Sequence, residues 1–238
     1  MSFRNSVIVV ASPRPRVGKT LLARLLVDYY LLEGHPLRAF DLNSGEGTLA
    51  QFLPDHVTMS SIAEVQGQMA LFDRLVTVDD TVKIIDVGHE AFEAFFSLAE
   101  RIDFADEARR RGIALVVLFM ISNDRVTVDA YRKLAEHFPR LTLTPVQNEM
   151  FGAGQMRDKF PPVGRGAALL RVPALAPGLR KHVELPPFSF SGPQLANAKH
   201  IPLDGHLELQ RWLRRIYLEF RELDLRVLLA DLQSSIRF

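Results

Sequence analysis

One stretch constrains the fold more than any other: Ser6 to Leu26, SVIVVASPRPRVGKTLLARLL. A run of apolar residues, Val7 to Val10, has the length and β-branched character of a buried strand. It enters a turn that closes on Val17-Gly18-Lys19-Thr20, and helix-spaced leucines follow at once (Leu21, Leu22, Leu25, Leu26). Strand, phosphate-sized loop, Gly-Lys-Thr and helix make up a phosphate-binding loop. The N–H groups that open a helix lack internal partners and carry the positive end of its dipole, so phosphate oxygens suit them. Gly18 allows close backbone approach, Lys19 places an ammonium on the β and γ phosphates, and the Thr20 hydroxyl is a Mg²⁺ ligand. Arg16, Val17 and Leu21 complete the nucleotide-facing stretch.

The loop departs from GxxxxGK[ST]. Pro13 holds the first glycine position, and Arg14, Pro15 and Arg16 fill the bend. Two prolines stiffen the loop and remove two N–H donors, while the arginines supply cationic ones.

The rest of the chain alternates strand-like and helical runs. Strands are expected at Val7–Ala11, Leu37–Leu42, Val82–Val87, Ile113–Ile121, Leu141–Gln147 and Ala167–Val172. Helices are expected at Gly18–Glu33, Thr48–Leu53, Ile62–Val76, Ala91–Arg111 and Asp124–Phe138. The stretch Pro173–Pro193 reads as irregular, and Leu203–Leu232 as two helices or one bent one. Such alternation predicts an α/β fold: a doubly wound, mostly parallel sheet with helices on both faces. We expect a single P-loop NTPase domain over 1–238, with a nucleotide-binding core over about 1–150 and a C-terminal helical segment over about 203–238.

Composition narrows the function. The 238 residues are 47% hydrophobic and carry a net charge of +1, which gives no overall push toward nucleic acid or membrane. Without cysteine, thiol catalysis and Cys-zinc sites are excluded. No apolar run approaches the ~20 residues of a spanning helix. The start reads as a first strand and not as a signal peptide, so a cytoplasmic location is expected.

Other strand ends carry polar residues suited to a nucleotide site. Asp86 closes the run Val82-Lys83-Ile84-Ile85 and is placed to hold Mg²⁺. Val87-Gly88 follows it, with His89 on the same side. Asp41 opens the polar stretch Leu42-Asn43-Ser44-Gly45-Glu46-Gly47, either as a switch-loop acid or as a turn cap. Asn148 follows the last internal strand, either as a base-edge contact or as a turn residue.

This order of motifs resembles the ParA/MinD group of P-loop ATPases over roughly residues 5–150. The resemblance implies ATP with Mg²⁺, a nucleotide-dependent homodimer, and a protein partner or cargo. The position matching the group's signature lysine is Arg14, which the resemblance assigns to the γ phosphate in cis or trans. The group's Asp-x-Asp reads Asp41-Leu42-Asn43 here. Asparagine cannot serve as a carboxylate base, so hydrolysis is expected to be slow. The loop also resembles that of dethiobiotin synthetase and related carboxylate-activating enzymes, whose reaction needs a second pocket for a small acid. A binding-only scaffold is the third reading.

The C-terminal segment places Leu209, Trp212, Leu213, Ile216, Phe220, Leu223 and Val227 at helical spacing among mixed charges. That pattern predicts docking on the chain's own core and not on a membrane. Arg109-Arg110-Arg111, near Arg101, reads as a helix-end charge run, with DNA phosphates as a possible contact.

Overall fold

The structure, a computed structural model, describes residues 5–45, 48–152, 156, 158–191 and 201–235. Glu46 and Gly47 of the polar loop, Gly154, and Arg237 of the tail lie outside the described residues.

Seven strands form one sheet in the order β3-β2-β4-β1-β5-β6-β7, with every neighbouring pair parallel. They are β1 (Ser6–Ala11), β2 (Leu37–Asp41), β3 (Val57–Met59), β4 (Val82–Asp86), β5 (Ala114–Met120), β6 (Thr142–Asn148) and β7 (Leu170–Val172). The helices are α1 (Lys19–Leu32), α2 (Leu49–Phe52), α3 (Val65–Leu75), α4 (Phe92–Arg101), α5 (Phe104–Arg110), α6 (Arg125–His137), α7 (Pro177–Val183) and α8 (Leu203–Ser235).

Alternation along β1 shows why helices cover both faces. Ile8 and Val10 belong to one core, with Leu22 and Leu25 of α1, Leu179 of α7 and Trp212 of α8. Val7, Val9 and Ala11 point into the opposite core, with Phe72 of α3, Phe95 of α4, Phe104 of α5 and Tyr131 of α6. The sheet is therefore buried on both sides, as its near-continuous apolar strands require.

Three expectations need correction, and a fourth is narrowed to one of its two alternatives. The run Ala91–Arg111 is two helices, because Asp103 adopts a left-handed conformation (φ 50°) between them. The short edge strand β3 was not expected; it has three residues and is mostly exposed, so it lacks an apolar signature. Within Pro173–Pro193 lies α7, with proline in its first turn, where a missing N–H costs nothing. The C-terminal segment is one continuous helix of 33 residues, with no proline inside and its only glycine, Gly205, in the first turn.

The docking expectation for α8 holds residue by residue. Leu209, Trp212, Leu213, Ile216, Phe220, Leu223 and Val227 are all buried. Trp212 Nε1 donates to the Pro173 carbonyl at 2.8 Å, and Arg221 pairs with Glu33 at 2.8 Å. Among the described residues, no helix is long and apolar enough to cross a membrane.

Candidate functional site

Parallel register brings the polar strand ends into one row. Asp41 of β2 lies opposite Asp86 of β4, and Asp86 lies opposite Val10, the last residue but one of β1. Such a row at the carboxyl ends of parallel strands is where open α/β sheets bind ligands.

The loop delivers Lys19 and Thr20 to this row. Gly18 caps α1 in the left-handed region (φ 97°), no side chain caps the helix, and no acid occupies its first turn. The opening N–H groups are thus left for an anion. A Cβ on Gly18 would come within 2.5 Å of Asn148 Nδ2, so packing as well as φ demands glycine. Lys19 is buried and donates to the Arg14 carbonyl at 2.6 Å. Burial lowers its pKa to about 8, with the nearby Asp86 charge opposing.

Asp86 is fully buried. Its Oδ2 accepts from the Thr20 hydroxyl at 2.7 Å and from Asn43 Nδ2 at 3.0 Å. Its Oδ1 has no partner among the described residues. Burial pushes its pKa up to about 7; the Asp41 charge adds to the rise, and the hydrogen bonds and Lys19 oppose it. A buried carboxylate with one orphaned oxygen beside a threonine hydroxyl is a donor set suited to Mg²⁺. That ion usually takes one or two carboxylates together with phosphate oxygens and waters. No cluster of three or more His, Asp or Glu occurs among the described residues, and a shared protein–phosphate shell needs none.

Asp41 is turned inward. Its Oδ1 accepts from Asn43 N (2.9 Å) and Nδ2 (2.8 Å), and its Oδ2 from Ala50 N (2.8 Å). It therefore ties the polar loop to α2. The Asn43 amide donates to both carboxylates, a neutral bridge that lets two acids share a buried corner. Gly88 gives it room, since a Cβ there would meet Asn43 Oδ1 at 2.8 Å.

Asn148 is buried beneath the loop. Its Nδ2 donates to the Val17 carbonyl at 3.2 Å, and its Oδ1 accepts from Met150 N at 3.1 Å. Arg14 is directed to Asp124, which caps α6, at 2.9 and 2.8 Å. Burial works to raise the Asp124 pKa, but hydrogen bonds from Arg14, Ser122 and Thr127 outweigh it and hold the carboxyl well below the usual range. Arg109, Arg110 and Arg111, in and just after the last turn of α5, pair with Asp106 and Glu107.

No protein-family model matches this chain, and no curated protein matches it. Among solved structures, a chain of the MinC:MinD cell division protein complex of Aquifex aeolicus is similar. The match has a TM-score of 0.53 and 14% identity, and covers 88% of this chain and 96% of that one. The fold is MinD-like. At this identity the likeness concerns architecture, and the site residues stand on their own geometry.

Within this MinD-like fold, a cleft of ≈480 Å³ opens over the loop. Arg16, Gly18, Lys19, Thr20 and Leu21 line it, with Asn43 and Ser44 from the polar loop and Gly88, His89 and Glu90 after β4. It continues along α1 past Arg24 to Phe52, Leu175, Arg180, Val183 and Glu184. Sequence reasoning missed this inner half. Its signal was Arg24 and Asp28, two charges four residues apart inside an otherwise apolar helix. Arg14 and Asn148 do not line the cleft.

Proposed function

We propose that this protein is a nucleotide-dependent switch of the ParA/MinD kind. It takes ATP with Mg²⁺ at the loop, pairs with a second copy in that state, and hydrolyses the nucleotide slowly. The observation that carries this reading is the meeting of buried Lys19, half-buried Thr20 and buried Asp86 at a helix start with no side-chain cap. In the proposal Lys19 neutralises β and γ oxygens, while Thr20 and Asp86 hold the metal. Mg²⁺ supplies charge neutralisation across the phosphates when bound, and a divalent cation favours the ionised Asp86 carboxylate that burial disfavours.

Slow hydrolysis follows from Asn43. Its amide occupies the corner between Asp41 and Asp86 and cannot accept a proton as a carboxylate would. Arg14 reaches the γ phosphate by exchanging Asp124 for it. The pair is partly exposed, so breaking it costs little. Asn148 acts by fixing the loop from below. The structural neighbour was solved in a MinC:MinD complex, and by that likeness we propose a protein partner for this chain too. We take the whole chain to act as one cytoplasmic unit, with α8 as part of its core.

Calorimetric titration with ATP tests the reading. Wild type should bind ATP in the presence of Mg²⁺. Lys19→Ala should lose most of that affinity, and Asp86→Asn should lose its Mg²⁺ dependence. Absence of ATP binding by the folded wild type would overturn the proposal.

A further inference from the structure

Arg24 lies about 7.5 Å along α1 from Lys19 and is only 2% exposed. Its guanidinium sits 3.7 Å over the Phe52 ring, 4.8 Å from Phe190 and 5.7 Å from Phe188. A guanidinium carries five N–H donors. Among the described residues, one bond is made, from Nη2 to the Phe188 carbonyl at 3.1 Å, and Nε is buried without a partner.

The acid one helical turn away offsets part of this charge but makes no hydrogen bond to the guanidinium. Asp28 Oδ1 accepts from the hydroxyls of Ser189 (2.6 Å) and Ser191 (2.9 Å), and Oδ2 from Phe190 N (2.6 Å). Both oxygens are spent on holding that segment against α1. A buried guanidinium with most of its N–H donors unpaired is costly, and aromatic faces offset only part of the cost. Burial lowers the Arg24 pKa to about 9, against the charges of Asp28 and Glu184. Arg24 is also part of the wall of the cleft.

We propose that the inner half of this cleft, between α1, α2 and α7, is a site for a small apolar carboxylate, whose carboxylate closes on Arg24. A planar carboxylate matches the guanidinium fork and supplies acceptors for its unpaired N–H groups. Leu21, Phe52, Leu175 and Val183 give the site an apolar lining for the body of the ligand. The site stands beside the phosphate loop and does not use Lys19 or Thr20, so it goes beyond the nucleotide reading and survives its failure. The acid-binding pocket here is lined by arginines.

Hexanoate is the probe, with hexan-1-ol as the control that lacks the charge. In wild type, the Arg24 Nε–H resonance should move on titration with hexanoate and stay in place with hexan-1-ol. Arg24→Met should bind hexanoate about 30-fold or more weakly, as loss of a buried charge partner implies. Without hexanoate it should melt at or above the wild-type temperature, because the unpaired N–H donors are gone. Lys19→Ala should bind hexanoate as wild type does while failing on ATP, which separates the two readings. An unmoved Arg24 resonance would overturn the proposal without any variant. So would an Arg24→Met protein that melts lower and binds hexanoate normally, since Arg24 would then be only a clamp on Phe188. An Arg24→Met protein that loses ATP affinity would assign Arg24 to the nucleotide and overturn it as well.

Discussion

At the scale of single residues, Gly18 and Asn43 carry the strongest expectations. Gly18→Ala forces a left-handed φ on alanine and drives a methyl toward Asn148 Nδ2. It should cost about 1–3 kcal/mol in denaturant unfolding and displace Lys19 enough to weaken ATP binding. Asn43→Asp restores the carboxylate of the ParA/MinD pattern but sets a third acid against Asp41 and Asp86. Without Mg²⁺ it should be less stable by about 2 kcal/mol or more. With Mg²⁺ the loss should shrink and phosphate release should quicken. Equal stability with and without Mg²⁺ would contradict the metal assignment of Asp86. Lys19, Thr20 and Asp86 were legible because their chemistry is bound to a spacing and to a strand–helix context. The contacts that Asn148 and Arg14 make were not, because partners such as Val17 and Asp124 are far away in sequence and met only through the fold.

Among the elements, α1 and α8 form the most informative pair. Tyr30 and Tyr29 donate from α1 to Asp224 of α8 at 2.7 and 3.2 Å. Burial pushes the Asp224 pKa up to about 6; the Glu33 charge adds to the rise, and the tyrosine hydrogen bonds oppose it. The folded state therefore holds this proton more tightly than the unfolded chain. Between about pH 4 and 6 the Asp224 contribution should reduce stability as pH rises, with the full penalty above about 6. Unfolding of wild type and Asp224→Asn at pH 4.5 and 7 measures this. Relative to wild type, the variant should gain stability at pH 7 compared with pH 4.5, and an unchanged difference would contradict the assignment. The central strands and α8 were legible from long apolar patterns. By contrast, β3 is three mostly exposed residues, α7 is a short helix in a proline-rich stretch, and the break at Asp103 depends on one residue's φ. Local pattern cannot signal such features, because neighbouring packing decides them.

For the whole molecule, the parallel sheet sets Asp41, Asp86 and the loop after β1 along one edge, with Asn148 supporting the loop from β6. The fold itself is shared with the MinC:MinD chain at 14% identity, because architecture depends on strand order and not on particular core side chains. The central claim is a nucleotide-dependent switch, and a switch must change its assembly with its ligand. Light scattering on the full chain, with and without ATP and Mg²⁺, tests it most directly when Lys19→Ala is run beside wild type. Wild type should double in mass only when both ATP and Mg²⁺ are present, and Lys19→Ala should keep an unchanged mass. A mass that ignores ATP while calorimetry shows the nucleotide bound would contradict it.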